Sequence, residues 1–115
     1  MTVHEMHLKP RPFRQVARGE KTIELRLYDE KRRQILPGDR IVFSNLEAEE
    51  EKVLTAVAAL HVYPSFVELY EALPMERCGY APGDAADPRD MEAYYSPEAQ
   101  AENCVVGIEL VILSR

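Results

Sequence analysis

The sequence predicts an α+β chain: a small mixed β-barrel of five or six strands, with three or four short helices packed over its ends. Three observations carry this. At 115 residues the chain can bury one core, so residues 1–115 are read as a single domain. Segments with alternating apolar residues and segments with helical spacing follow one another in mixed order, without the regular strand-helix-strand rhythm of a parallel sheet. The chain closes on VVGIELVIL, a nearly continuous apolar run that suits a central strand.

The elements follow in order. HEMHLK sets Met6 and Leu8 against His7 and Lys9, the pattern of an edge strand. PRPFRQVARG has prolines at its entry, Phe13, Val16 and Ala17 at helical spacing, and Gly19 where a C-terminal cap belongs. TIELRLY alternates Ile23, Leu25 and Leu27 against Thr22, Glu24, Arg26 and Tyr28, a strand with one apolar and one polar face. DEKRRQI reads as a turn-like connection into PGD and the strand RIVFSN. EEEK, residues 49 to 52, is a solvated hairpin end, and KVLTAVAALHVY is long enough to be a bent strand shared by two sides of the barrel.

Ser65 and Glu68 form a capping box that opens a helix with Phe66, Leu69, Tyr70 and Leu73 toward the core. Pro74 to Asp87 reads as an exposed loop. Two helix starts follow, Asp87 before Pro88 and Ser96 before Pro97. In the closing run, Gly107 marks an expected bulge or sharp bend.

Composition bounds the function. No window of eighteen apolar residues is present to span a bilayer, and MTVHEMHLKP lacks the apolar region of a signal peptide, so the expected location is the cytoplasm, with no membrane partner. Cys78 and Cys104 have no CxxC spacing, and His4, His7 and His61 are scattered; neither a metal site nor a disulfide framework is expected, and no cofactor. His4 and His7 would fall on opposite faces of a strand.

A net charge of −6 argues against a general nucleic-acid binder. The charge is unevenly placed, however. Residues 1 to 40 hold ten bases against six acids, whereas residues 41 to 115 hold four against fourteen, which permits a local anion-attracting face on an acidic body.

Within RGEKTIELRLYDEKRR, Lys21, Arg26 and Arg33 gather around Glu24. On a regular strand Glu24 and Arg26 share a face, about 7 Å apart. Lys21 reaches that face only from the preceding turn or across a bulge. A lysine and an arginine flanking one carboxylate keep it ionised and leave excess positive charge for a phosphate or a base carbonyl. Arg26 would supply forked donors, Lys21 a point charge, and Glu24 an acceptor for an exocyclic amine. Tyr94 or Tyr95 would stack on an unpaired base, and Lys9 and His61 would border the same cleft.

The spacing Gly19, Lys21, Glu24, Arg26, written GxKxxExR, resembles the ASCH family of the PUA-like superfamily, in its small single-domain bacterial or archaeal type. The resemblance continues through Leu36, Pro37, Gly38 and Asp39 into Ile41 and Phe43, and again from Tyr94 and Tyr95 to Val105 and Glu109. It implies a PUA-like β-barrel whose cleft is lined by the motif residues and binds RNA or a nucleoside or nucleotide. One bacterial branch hydrolyses the amide of acetylated cytidine with the motif lysine, a threonine and a glutamate; Glu24 stands where that branch has threonine. Binding is therefore the first reading. An amidohydrolase, or a ribonuclease, using Lys21 and Glu24 is the alternative, and a protein-interaction module working through the acidic half is a third.

Overall fold

The computed structural model of the chain describes residues 1–114. Five strands form one curled sheet: β1 (Val3–Leu8), β2 (Ile23–Leu27), β3 (Arg40–Asn45), β4 (Ala48–Tyr63) and β5 (Val105–Ser114), in the spatial order β1-β3-β4-β5-β2. β1 runs parallel to β3, and every other pair is antiparallel. Three α-helices cover it: α1 (Pro10–Ala17), α2 (Phe66–Ala72) and α3 (Pro97–Asn103). The sheet is a half-barrel, with β1 and β2 as its two edges.

Long β4 makes the curl. Its first half pairs with β3 and its second half with β5, and its register against β5 slips at Leu54/Thr55 and again at Val57/Ala59. These irregularities bend and twist the strand, so one strand serves two sides of the barrel. The bend expected at Gly107 is absent there: pairing through Gly107 is regular on both sides. The glycine is needed for space, because a Cβ would lie 2.8 Å from Leu73 Cδ1 and 3.1 Å from Ile23 Cγ2. Nor is β5 the middle strand. It is an interior one, between β4 and β2, and β4 takes the centre.

The helix signals act as expected where capping chemistry is strong. Ser65 Oγ accepts from Val67 N and its hydroxyl bonds the Glu68 carboxylate, while Ser96 Oγ accepts from Ala99 N at the start of α3. Asp87 also caps, accepting from Arg89 N, but the element it opens, Pro88–Ala93, is a 3₁₀ helix. Two further 3₁₀ turns, Arg32–Gln34 and Met75–Cys78, occupy stretches read as connection and loop.

Two clusters form the core. Inside the curl, Met6, Phe13, Ile41, Phe43, Val106 and Ile108 pack together. On the other side of β2, Ile23, Leu25 and Leu27 meet Phe66 and Leu69 of α2. The alternation of β2 decides what remains: with three residues committed to the second cluster, Glu24 and Arg26 turn toward the seam between the edge strands. There Arg26 Nη2 donates to the carbonyl of His7, tying β2 to β1. No helix among the described residues is long and apolar enough to cross a membrane.

Candidate functional site

β2 begins only at Ile23, so Lys21 belongs to the turn that enters it. The backbone of that turn is held from two sides: Glu20 N and Lys21 N both donate to the Gln15 carbonyl of α1, and Thr22 N donates to the Arg77 carbonyl. This lets a residue three positions before Glu24 reach the same carboxylate, which regular alternation would forbid. Lys21 Nζ lies 3.0 Å from Glu24 Oε1, and Arg26 Nε donates to Glu24 Oε2 at 2.7 Å. All three side chains are largely enclosed, with 12%, 5% and 15% of the Lys21, Glu24 and Arg26 side chains exposed.

Burial alone would push the Glu24 carboxyl up, but the two cations outweigh it and hold the group below the usual carboxylate range. Burial likewise works against the charge on Arg26; Glu24 and the Tyr95 hydroxyl more than compensate and raise it.

This cluster lines a cavity of about 570 Å³. One part of the lining comes from β1, α1, β2 and the turns that join them, and contributes Lys9, Arg11, Lys21, Glu24 and Arg26. The other comes from α2 and the segment between α2 and α3, and contributes Tyr70, Tyr80, Asp84, Asp90, Tyr94 and Tyr95. The two parts are joined at several points. Lys9 Nζ sits 5.5 Å from the Tyr94 ring centre, and Gln15 Nε2 donates to the Gly79 carbonyl at 3.1 Å. Gly79 has φ +110°, a conformation that favours glycine, and a Cβ there would lie 3.2 Å from Gln15 Oε1 and in ordinary contact with the Lys21 stem.

Lys9, Lys21, Glu24, Arg26, Tyr94 and Tyr95 all line this one cavity. Tyr95 stacks on Phe66, with ring centres 6.1 Å apart, whereas Tyr94 is exposed. His61 does not join them; its ring bonds Glu109 at 3.0 Å, and Arg77 approaches the same carboxylate at 3.7 Å. Arg33 is also elsewhere, over the Tyr28 ring at 4.5 Å and donating to the Asn103 carbonyl. The charged group around Glu24 thus has two cations rather than three. His4 and His7 part company as alternation requires, to Asp39 and Glu49. Among the described residues no three His, Cys, Asp or Glu side chains cluster to hold a metal ion.

Sequence reasoning missed Tyr70, Cys78, Tyr80 and Asp90. Tyr70 reads as one more core position on a helix, Cys78 and Tyr80 sit in the stretch read as a loop, and Asp90 falls just after an expected helix start with no pattern that marks it. Cys78 is buried in the lining, and that burial pushes its thiol up to about 11, so it is a protonated, weakly reactive group at neutral pH.

The sequence model of the ASCH domain matches residues 6–114. The chain is 35% identical to the hypothetical protein PH0355, a crystal structure that superposes with a TM-score of 0.83 and covers 97% of this chain and 100% of that one. It is 33% identical to protein PF0455 from Pyrococcus furiosus, a solution structure, with a TM-score of 0.74 and coverage of 99% and 100%. The crystal structure of ASCH from Zymomonas mobilis is similar in fold, with a TM-score of 0.65 at 16% identity, over 96% of this chain and 67% of that one. No curated protein gives a significant match. ASCH domains are PUA-like in fold and are generally thought to bind RNA. With the family's model spanning nearly the whole chain and two relatives of more than 30% identity matching it end to end, the chain belongs to the ASCH domain family.

Proposed function

We propose that the chain binds RNA by taking one nucleotide into this cavity, with Lys21 and Arg26 receiving its anionic or carbonyl oxygens. The observation that carries the reading is the convergence of Lys21 and Arg26 on one buried carboxylate in the wall of a cavity. Glu24 neutralises only one of the two charges; Lys9 and Arg11 add to the remainder. The outcome is a positive field along this part of the lining, set apart from the part that carries Asp84 and Asp90. A volume of about 570 Å³ falls within the range of small-ligand sites, and room for a single nucleotide excludes reading a duplex groove. Tyr94, exposed at the rim beside Lys9, offers a face for stacking.

The hydrolytic readings have less support. Each Glu24 oxygen already faces a cation, and a carboxylate held below its usual range is a poor general base. Lys21 remains available to steady a developing negative charge, but its partner Glu24 is not the base that the amide hydrolysis needs.

Titration of a short single-stranded RNA into the wild type, Lys21→Ala and Arg26→Gln at low salt tests the proposal. We expect at least a tenfold loss in each variant, with folding checked by circular dichroism. Unchanged affinity in both would remove the reading.

A further inference from the structure

The lining contributed by Tyr70, Tyr80 and Asp90 has a fixed hydrogen-bond direction. The Tyr80 hydroxyl donates its one proton to Asp90 Oδ2 at 2.8 Å. The Tyr70 and Tyr80 hydroxyls lie 2.8 Å apart, and with the Tyr80 proton committed, Tyr70 must be the donor between them. Burial, and then the bonds to Tyr70 and Asp90, push the Tyr80 phenol well above its usual range, so it keeps that proton. Both phenolic protons are therefore consumed within the chain. What these groups can still offer a ligand is lone pairs: those of the Tyr70 oxygen and the second oxygen of Asp90. Asp84, whose Oδ2 accepts from Ala81 N, adds another carboxylate oxygen to the same lining.

The other part of the lining is the reverse. Lys9, Arg11, Lys21 and Arg26 are donors without acceptor capacity, and the Tyr95 hydroxyl stands against Arg26. A cavity with donors on one lining and acceptors on another fits a ligand that is anionic at one end and carries N–H groups at the other. Glu24 is a poor reader of such N–H groups, since both its oxygens are engaged; the phenol and carboxylate chain supplies that function in its place.

We propose that the cavity selects nucleotides whose base carries an exocyclic amine over the matching bases that carry a carbonyl there, through acceptors presented by Tyr70 and Asp90. The selection rests on the nucleotide-binding reading above and goes beyond it. Cytosine offers N4–H₂ where uracil offers O4, and adenine offers N6–H₂ where hypoxanthine offers O6. A carbonyl set against these acceptors leaves both sides unpaired and desolvated, and a site built to bond an N–H discriminates strongly against its absence.

The test is calorimetric titration with two matched pairs of 5′-monophosphates, CMP with UMP and AMP with IMP, on the wild type, Tyr80→Phe and Asp90→Ala. In the wild type the amino member of each pair binds about tenfold more tightly, the effect of one hydrogen bond to a charged or polarised acceptor. Tyr80→Phe keeps the ring that packs edge-on against Tyr70 at 5.8 Å but frees the Tyr70 proton to point into the cavity. The preference then falls below about twofold, with UMP and IMP gaining affinity. A merely structural role for Tyr80 would weaken all four ligands alike. In Asp90→Ala the amino ligands lose most of their advantage. Equal binding of all four by the wild type, or a preference that survives both substitutions, overturns the selectivity while leaving the nucleotide site standing. Failure of all four to bind at millimolar concentration overturns the site and the selectivity together.

Discussion

Glu24 and Asp39 are held ionised by different means. Glu24 is buried, and its charge survives because Lys21 and Arg26 stand against it. Asp39 relies on bonds to backbone and imidazole: Thr2 N donates to Oδ1 at 3.0 Å, Leu36 N donates to Oδ2 at 3.0 Å, and His4 Nε2 lies 2.9 Å from Oδ2. The Thr2 amide is the largest influence, followed by His4 and Leu36, and together they lower the Asp39 carboxyl from 3.8 to about 2. A folded-state value below the unfolded one means stability that is present above 3.8 and lost as pH falls toward 2. Asp39→Asn should therefore be less stable than the wild type at pH 7, with the gap narrowing below pH 4 and closing near pH 2. Urea denaturation across that range measures it, and a constant gap would show that Asp39 acts through shape alone. Glu24 has the same sign, so acid should loosen the Lys21 and Arg26 pair and the edge of the cavity.

At the scale of elements, the contact between α2 and β5 is set by an absent side chain. Leu73, at the end of α2, packs over Gly107, and Ile23 of β2 closes the same space. Gly107→Val would place methyl groups where Leu73 Cδ1 and Ile23 Cγ2 already stand, and overpacking of this kind costs about 1–3 kcal/mol. The loss should be partly recovered in Gly107→Val/Leu73→Ala, because the truncated leucine vacates the contested volume. A double-mutant cycle in chemical denaturation checks this, and simple additivity would show that the crowding lies elsewhere. α2 and the 3₁₀ turn after it carry Tyr70, Cys78 and the Arg77 carbonyl that receives Thr22 N, so the fit of α2 to β5 also bears on the cavity.

Over the whole molecule, charge limits what binds. The net charge is −6, and the cationic lining of Lys9, Arg11, Lys21 and Arg26 comes wholly from the first forty residues. Beyond this lining an extended nucleic acid meets exposed acids, including Glu49, Glu50 and Glu51 of β4. Few phosphates are then neutralised. For single strands each contributes a slope of about −0.7 in log affinity against log salt, so one or two contacts predict roughly −0.7 to −1.4. Fluorescence anisotropy should find that slope. It should also find less than about a threefold difference in affinity between a three-nucleotide and a twelve-nucleotide RNA of repeated sequence, after correction for the number of sites. A steep slope, or affinity climbing with length, would mean a longer binding track than this cavity.

Local chemistry made much of this fold readable. Alternation of Ile23, Leu25 and Leu27 assigns β2 and sets Glu24 and Arg26 on its opposite face; Ser65 and Ser96 mark two helix starts; the irregular element order gives the α+β class. Neighbouring residues suffice for such features because the backbone period and the caps are short-range. The GxKxxExR spacing, joined to the turn and strand after it, was enough to indicate the family. Only tertiary structure could bring Lys21 onto Glu24, since that contact depends on a turn held by Gln15 and Arg77, the second of them 55 positions away from Thr22. It alone set His61 and Arg33 apart from the cavity and put Tyr80 and Asp90 into it. A cavity is made by segments distant along the chain, and no local period records which of their side chains will meet.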